Sequence, residues 1–501
     1  MVELILRRGV VLFVALSLTP LLDKAGSAQD GKVSEATEHC IECHAVVTPA
    51  IVGDWKNSRH ARVTPGEALS RAKLQRRVSA DQIKEDLSQT VVGCAECHSL
   101  NPEAHKDAFD HSDQKVHITV TPRDCAVCHP VETDQYQKNL MSHARVNLVK
   151  NPVYGSLARA VNGLQSLKGM RLSSADSDEK TDADSCYHCH GTAVEVKGNR
   201  TKETNWGEME FPILSGWPNQ GVGRFNPDGS MGSCTACHSR HQFSIQVARK
   251  PYTCSQCHKG PDVPAFKAFE VSKHANLVKS LEGQWDFKEV PWTLGKDVFA
   301  PTCAVCHVSL FVSPEGEVIA ERTHQMADRL PWRIFGVIYA HPHPKSPDTS
   351  VIKNKEGLPL PTSLNGELAA EFLISPEEQQ QRRERLQKVC LNCHSSQWVS
   401  GHWERFENTI RTTDAMTLTA TELVTKAWQE NVADKTNMFD EAIEKQWVEQ
   451  WFFYANSTRF ASAMMGADYG VFENGRWYMA KNTQEMLDRL KFLLSIKTRE
   501  K

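Results

Sequence analysis

The chain has no cysteine to spare. All 16 fall within eight copies of one short pattern, Cys-x-x-Cys-His, so no thiol remains for another purpose. It lacks an excess of either charge: 58 basic side chains stand against 61 acidic ones, and nothing in that balance points to nucleic acid. It lacks any apolar run of the roughly 20 residues needed to span a bilayer, and the one apolar stretch near the N-terminus falls short of that length. Even spacing between the motifs is missing too, which excludes a simple repeat array. Length alone suggests about three domains, but the motif distribution points to one large one.

The eight copies are Cys40, Cys43 and His44; Cys94, Cys97 and His98; Cys125, Cys128 and His129; Cys186, Cys189 and His190; Cys234, Cys237 and His238; Cys254, Cys257 and His258; Cys303, Cys306 and His307; and Cys390, Cys393 and His394. Two thiols three positions apart can each add to one vinyl group of a porphyrin, and the adjoining histidine then lies under the iron as its proximal ligand. A single copy could be chance or a thioredoxin-like redox pair. Zinc ribbons use Cys-x-x-Cys as well, but need no histidine after every second cysteine. Eight copies predict eight covalent haem c groups, which supply much of the apolar core and whose propionates add acidity.

Arg7 and Arg8, the apolar stretch Gly9 to Leu22 and the small residues Gly26-Ser27-Ala28 read as a secretory signal over residues 1–28, with a mature chain starting near Gln29. The expected location is the periplasm or an equivalent exported compartment, where haem attachment takes place, with a soluble mature protein.

The expected fold is mainly α: an octahaem cytochrome c domain over residues 29–403, wrapped around its cofactor stack, then a helical region over 404–501 that is expected to form a subunit interface. Ser173 to Asp178 reads as a polar loop. The turn-rich stretch between the fourth and fifth motifs, with Gly216-Trp217-Pro218-Asn219 and Asn226-Pro227-Asp228-Gly229, reads as a long ordered loop. Ser375-Pro376-Glu377-Glu378 predicts a helix running into Cys390. Ile443, Trp447, Val448, Trp451, Phe452 and Ala455 form a stripe at helical spacing, and a second helix is expected over Thr483 to Ile496 with Met486, Leu487, Leu490, Leu493 and Leu494 buried.

Of 21 histidines, the eight in motifs leave 13. Six-coordinate electron carriers need a second imidazole each. Seven such haems and one open haem predict distal ligands among His60, His143, His241, His274 and His324, with His111 and His117 competing as a sixth. His39, His105, His341, His343 and His402 remain open for a seventh. His188, inside the fourth motif, is tethered on the proximal side and is a poor ligand for that iron.

The stretch Cys234-Thr-Ala-Cys-His-Ser-Arg-His-Gln-Phe-Ser244, followed by Ala248-Arg-Lys-Pro251, Cys254-Ser-Gln-Cys-His-Lys-Gly-Pro-Asp262, Ser272-Lys-His274 and Pro301-Thr-Cys-Ala-Val-Cys-His307, resembles the octahaem hydroxylamine oxidoreductase family. So does Asn226-Pro-Asp-Gly229. The resemblance extends over most of residues 36 to 400. It implies that the substrate haem is the one on the fourth motif, with His190 proximal. It also implies an Asp-His pair in the distal pocket just after the sixth motif. Asp262 falls on the Asp position, whereas Val263 stands where the His would be, and an isopropyl group cannot relay a proton. Oxidative members cross-link the substrate haem to a tyrosine from a neighbouring subunit, and reductive relatives lack that link. Met465-Gly466-Ala467-Asp468-Tyr469-Gly470 is the nearest counterpart, with Tyr469 ahead of Tyr478.

The resulting expectation is an oxidoreductase acting on small nitrogen compounds, a homotrimer exchanging electrons with a soluble or membrane-associated redox cytochrome or a quinone-linked partner. Hydroxylamine oxidation at the fourth haem is favoured if Tyr469 is cross-linked. Nitrite or hydroxylamine reduction toward ammonia is the alternative, and a cytochrome with no substrate site is a third reading.

Overall fold

The computed structural model describes residues 31–169 and 171–499, so the expected signal peptide lies outside the described residues. Each haem motif sits on a short helical turn, at a helix end or, for the first, inside a helix, because Cys(i), Cys(i+3) and His(i+4) share a face only when the backbone winds helically. Cys94–His98, Cys186–His190 and Cys303–His307 are single turns. The first motif lies inside Glu35–Val47, and the eighth closes Pro376–Leu391. Among the described residues no helix is long and apolar enough to cross a membrane.

The Pro376–Leu391 helix starts as its sequence predicts, with the Ser375 hydroxyl accepting from the Glu378 amide and proline in the first turn. Next comes the 34-residue helix Ser396–Gln429, capped by Ser395. Its buried positions Val399, Trp403, Phe406, Ile410, Thr413, Thr417, Ala420, Val424 and Ala427 alternate steps of four and three, the seam of a helix packed along its whole length. It runs unbroken through residues 403 and 404. The boundary expected there therefore falls inside one rod that ties the eighth motif to the C-terminal bundle.

The predicted aromatic stripe forms Ala442–Val448, a π-helical turn over Glu449–Tyr454 and the helix Ala455–Met464. The last helix, Arg476–Arg499, is longer than Thr483 to Ile496 and buries Met479, Asn482, Met486 and Leu490. The bundle core gathers Val424, Phe439, Ile443, Trp447, Trp451 and Met486. Fully buried Glu444 is satisfied there, its carboxylate accepting from the Trp428 indole N–H at 2.6 Å and from the Asp440 and Glu441 amides at 3.1 and 3.0 Å.

Two segments differ from expectation. Ser173 to Ala175 belong to a strand, Arg171–Ala175, paired antiparallel with Leu164–Lys168. Half of the expected long loop is a second hairpin, Glu195–Thr204 against Gly207–Ser215. Both are mostly exposed, so neither carries the apolar alternation that marks a half-buried strand.

Candidate haem sites and the fourth motif

Five motif histidines face a second imidazole from elsewhere in the chain. The ring centroids are 6.2 Å apart for His44 and His111, 6.3 Å for His98 and His241, 6.5 Å for His129 and His60, 6.4 Å for His238 and His324, and 6.2 Å for His394 and His274. An iron with an imidazole nitrogen about 2.0 Å away on each side sets the centroids about 6.3 Å apart. The residues therefore fit a haem iron between each pair.

Burial favours the neutral ring, with a lone pair free, at eight of these ten histidines: His60, His98, His111, His129, His238, His241, His274 and His324. It pushes His60 down to about 4, helped by facing His129, and His238 down to about 3, helped by His324. His241 and His324 are likewise lowered to about 4, first by burial. A neutral imidazole is the form a metal binds. The other ring nitrogen is anchored in several motif histidines. His44 Nδ1 lies 2.9 Å from the Thr48 hydroxyl, and His98, His307 and His190 point Nδ1 at the carbonyls of His117, Met326 and Ala144 at 2.8, 3.1 and 3.3 Å. Such contacts fix the ring so that Nε2 faces the iron.

Of the two rivals for the sixth distal position, His111 is the one opposite a motif histidine. His117 also lies 6.1 Å from His98, but on its Nδ1 side, with its own ring stacked on His105 at 3.5 Å and its Nε2 2.9 Å from the Leu100 carbonyl. His143 is not part of a facing pair: its Nε2 bonds the Gln137 carbonyl at 3.1 Å, and it caps Ala144–Lys150, the helix whose first carbonyl receives His190. His402 stacks between Trp398 and Phe406 beside the eighth motif. His341 and His343 are buried, and neither nitrogen of His343 has a hydrogen-bond partner. An imidazole that gave up water for nothing would cost about 1–3 kcal/mol.

The motifs also touch one another. Thiols come within hydrogen-bonding reach between Cys40 and Cys94, Cys125 and Cys234, Cys254 and Cys303, and Cys189 and Cys257. Cys97 lies near Cys128, Cys237 near Cys254 and Cys306 near Cys390. The first, second, third, fifth, sixth, seventh and eighth motifs thus form a row, and the fourth joins it at the sixth. The first two are clamped through Glu96, whose carboxylate accepts from Ser34, Thr37 and the Gly93 amide.

Behind the fourth motif the chain packs backbone on backbone. Gly191, at φ +94°, has no room for a side chain, since a Cβ there would lie 2.3 Å from the Arg224 amide nitrogen. Asp262 is placed beside this motif: its charge reaches Cys186, Cys189 and His190, and also His258. Asn456 holds the Asp262 carbonyl at 3.1 Å. Val263 turns into an apolar cluster with Ala268, Phe460 and Tyr469. Arg333, which sequence reasoning missed, also acts on His190. Its Nε donates to the Phe335 carbonyl at 3.2 Å, and Arg333 has no carboxylate partner among the described ion pairs. No motif signalled it; only the fold brings residue 333 to residue 190.

Tyr469 lies within the C-terminal part of the fold, just after the helix Ala455–Met464. It is 6% exposed, and its ring packs inside its own chain against Ala268 and Phe460. The flanking glycines serve that packing: a Cβ on Gly466 would lie 2.3 Å from the Ala268 carbonyl oxygen, and one on Gly470 2.3 Å from the Ala461 methyl.

Residues 228–334 match the family described as seven times multi-haem cytochrome CxxCH. The chain is similar to a solved structure known as a hypothetical multiheme protein, at 40% identity and TM-score 0.88, covering 94% of this chain and 98% of that one. It is 24% identical over 382 residues to the probable nitrite reductase-hydroxylamine oxidoreductase fusion protein of Kuenenia stuttgartiensis, a match covering 73% of this chain and 35% of that relative. The chain thus spans about a third of the curated relative's length. The fold is shared with the Kuenenia stuttgartiensis reducing HAO-like protein complex Kustc0457/Kustc0458, at 17% identity and TM-score 0.60, covering 93% of this chain and 87% of that one.

Proposed function

Because the chain belongs to the multihaem c-type cytochromes of the hydroxylamine oxidoreductase family, we propose that it is an exported octahaem enzyme reducing nitrite or hydroxylamine at the fourth motif. The observation that supports this direction is the packing of Tyr469 within its own chain, against Ala268 and Phe460, which disfavours the reach to a neighbouring subunit's haem that an oxidative reading depends on. The name of the Kuenenia relative joins nitrite and hydroxylamine chemistry, which supports the substrate class.

A haem held by Cys186, Cys189 and His190 supplies the iron at which a small nitrogen compound exchanges electrons. Each N–O bond that breaks takes up an electron pair and protons, and its oxygen leaves as water. Asp262 hands protons to that oxygen and is recharged from solvent. Arg333 supplies a half-buried positive charge that favours an anion such as nitrite. The His190 ring is held on the proximal side by the Ala144 carbonyl. The five facing pairs would each hold a haem iron between two imidazoles, and His143, His341 and His343 would be the donors for the sixth and seventh motifs. Electrons come from a redox cytochrome or quinone-linked partner.

The test is turnover of nitrite and hydroxylamine with a reduced viologen donor, combined with carbon monoxide binding and peptide mapping. Donor-dependent consumption, an open iron, and separate fragments for Cys186 to His190 and for Tyr469 are expected. A covalent join between those fragments with donor-independent hydroxylamine oxidation would restore the oxidative reading. Absence of carbon monoxide binding would leave only an electron carrier.

A further inference from the structure

A buried charged cluster lies between the second and third motifs, and none of the facing pairs uses it. His105 follows the turn Pro102–Ala104, Asp107 precedes the strand Ala108–His111, His117 ends the strand Gln114–His117, and Asp124 sits in the helix Pro122–Cys125. All four are buried. The two imidazoles lie face to face, with centroids 3.5 Å apart and 6° between their planes. His105 turns its nitrogens to different carboxylates: Nε2 is 3.2 Å from Asp124 Oδ1, and Nδ1 is 3.4 Å from Asp107 Oδ1. With both nitrogens taken, it has none to offer an iron.

The contacts around the cluster assign its charges. Asp124 accepts throughout: Oδ2 receives the Thr121 amide and hydroxyl at 2.8 and 3.1 Å, and Oδ1 receives the Asn101 side-chain amide at 3.3 Å. Asp107 Oδ2 receives the Thr119 amide at 2.8 Å, and its Oδ1 faces His105 Nδ1. An ionised carboxylate only accepts, so a ring lying between two of them carries a proton on each nitrogen and is an imidazolium. Burial pulls His105 down, but the two carboxylates outweigh it and hold the ring up at about 9. His117 is the neutral member: burial first, and then the charge of His105, lowers it, and its Nε2 donates to the Leu100 carbonyl at 2.9 Å. A neutral ring face is a good neighbour for a cation.

No other cation does this work. Neither carboxylate has a lysine or arginine ion pair among the described residues; their one partner in such a pair is His105. Arg224 feels Asp107 at a distance, but its guanidinium is taken up by Asn226 Oδ1 and the Asn219 and Val120 carbonyls. Without the imidazolium, two like charges would stand in a dry site with nothing to offset them. That site lies directly behind the second motif. The His117 carbonyl accepts from His98 Nδ1 at 2.8 Å, and the charges of Asp124 and Asp107 both reach His98. The second motif touches the first through Cys94 and Cys40 and the third through Cys97 and Cys128, so an electron moving along the row crosses it.

We propose that His105, held as a cation between Asp107 and Asp124, tunes the second haem: it cancels one of the two negative charges behind His98 and so raises that haem's reduction potential, since a nearby positive charge favours the reduced iron. The tuning rests on the pairing of His98 with His241 and is independent of which compound reacts at the fourth motif.

The test uses the full-length, haem-loaded protein at about pH 8, where both carboxylates are ionised. The low-spin EPR signal of each ferric haem is followed through a reductive titration, and the second haem's signal is the one lost when His241→Ala opens its iron. His105→Gln should make that haem about tenfold harder to reduce, a fall of ~59 mV for a one-electron couple. Adding Asp107→Asn restores the charge count and should return the haem to its wild-type midpoint, whereas a packing defect would be compounded by the second substitution. A wild-type midpoint in His105→Gln overturns the proposal, as does a fall that the double variant leaves in place. Where His105→Gln does not mature, a double variant that matures with the wild-type midpoint supports the proposal, and failure of both overturns it.

Discussion

Replacing His111 with alanine should open one iron and no other. His44 and His111 face each other at 6.2 Å, the spacing an iron between two imidazoles sets, so deleting one ring vacates one axial position. The strand Ala108–His111 is held by backbone pairing with Gln114–His117, and the lost ring packs only at 5.8 and 6.1 Å against Phe109 and Phe211. The cost to folding should therefore stay within the ~0.5–3 kcal/mol of ordinary substitutions. The reduced-minus-carbon-monoxide difference spectrum should grow by one bound ligand per chain, and added imidazole should reverse the gain. His117→Ala is the control. It strips a buried ring from His105 and leaves the Leu100 carbonyl without its donor, at about 1–3 kcal/mol, but adds no carbon monoxide site. An unchanged spectrum in His111→Ala, or the extra ligand appearing in His117→Ala instead, would refute the facing-pair reasoning.

Asp262→Asn keeps the shape beside the fourth motif and removes the titratable group; turnover of nitrite and hydroxylamine should fall at least a hundredfold, with haem content intact, and unchanged turnover would make Asp262 structural. Asp414→Asn strips the fully buried Arg459 of its carboxylate and should cost about 3–5 kcal/mol, read as a lower midpoint in urea unfolding; a shift under 1 kcal/mol would argue against the pair. Glu441 is raised to about 8, first by burial and then by the neighbouring Glu444 and Asp440 carboxylates, so between the unfolded value near 4.3 and about 8 the folded chain holds a proton that the unfolded chain has released. Stability from this group is present below that window and lost as pH rises through it. Glu441→Gln should thus raise the melting temperature at about pH 8 and leave it unchanged at about pH 4; equal shifts at both would reject the assignment.

The attachment residues were legible because their chemistry demands a fixed spacing, and Ser375-Pro376 announced its helix because capping is local. Which histidine faces which motif was not legible. His60 meets His129 and His274 meets His394 across long stretches of sequence, and such pairings exist only once the fold is made. The exposed hairpins escaped because a strand with both faces in water need not alternate. Around Tyr469 the glycines at 466 and 470 signal a close approach, but not by what; here the neighbours are Ala268 and Ala461 of the same chain.

The contact between Cys189 and Cys257 turns the row of motifs into a three-way junction. One arm reaches the sixth motif from the first, second, third and fifth; the other reaches it from the eighth through the seventh. In network terms the sixth motif is a cut point. Damage at either far end leaves the fourth motif fed from the opposite side, whereas damage at Cys254, Cys257 or His258 strands it. On the proposed reading, two electron donors could load the protein from different faces without competing for one entrance, and the supply to the fourth motif would then be set at a single shared crossing.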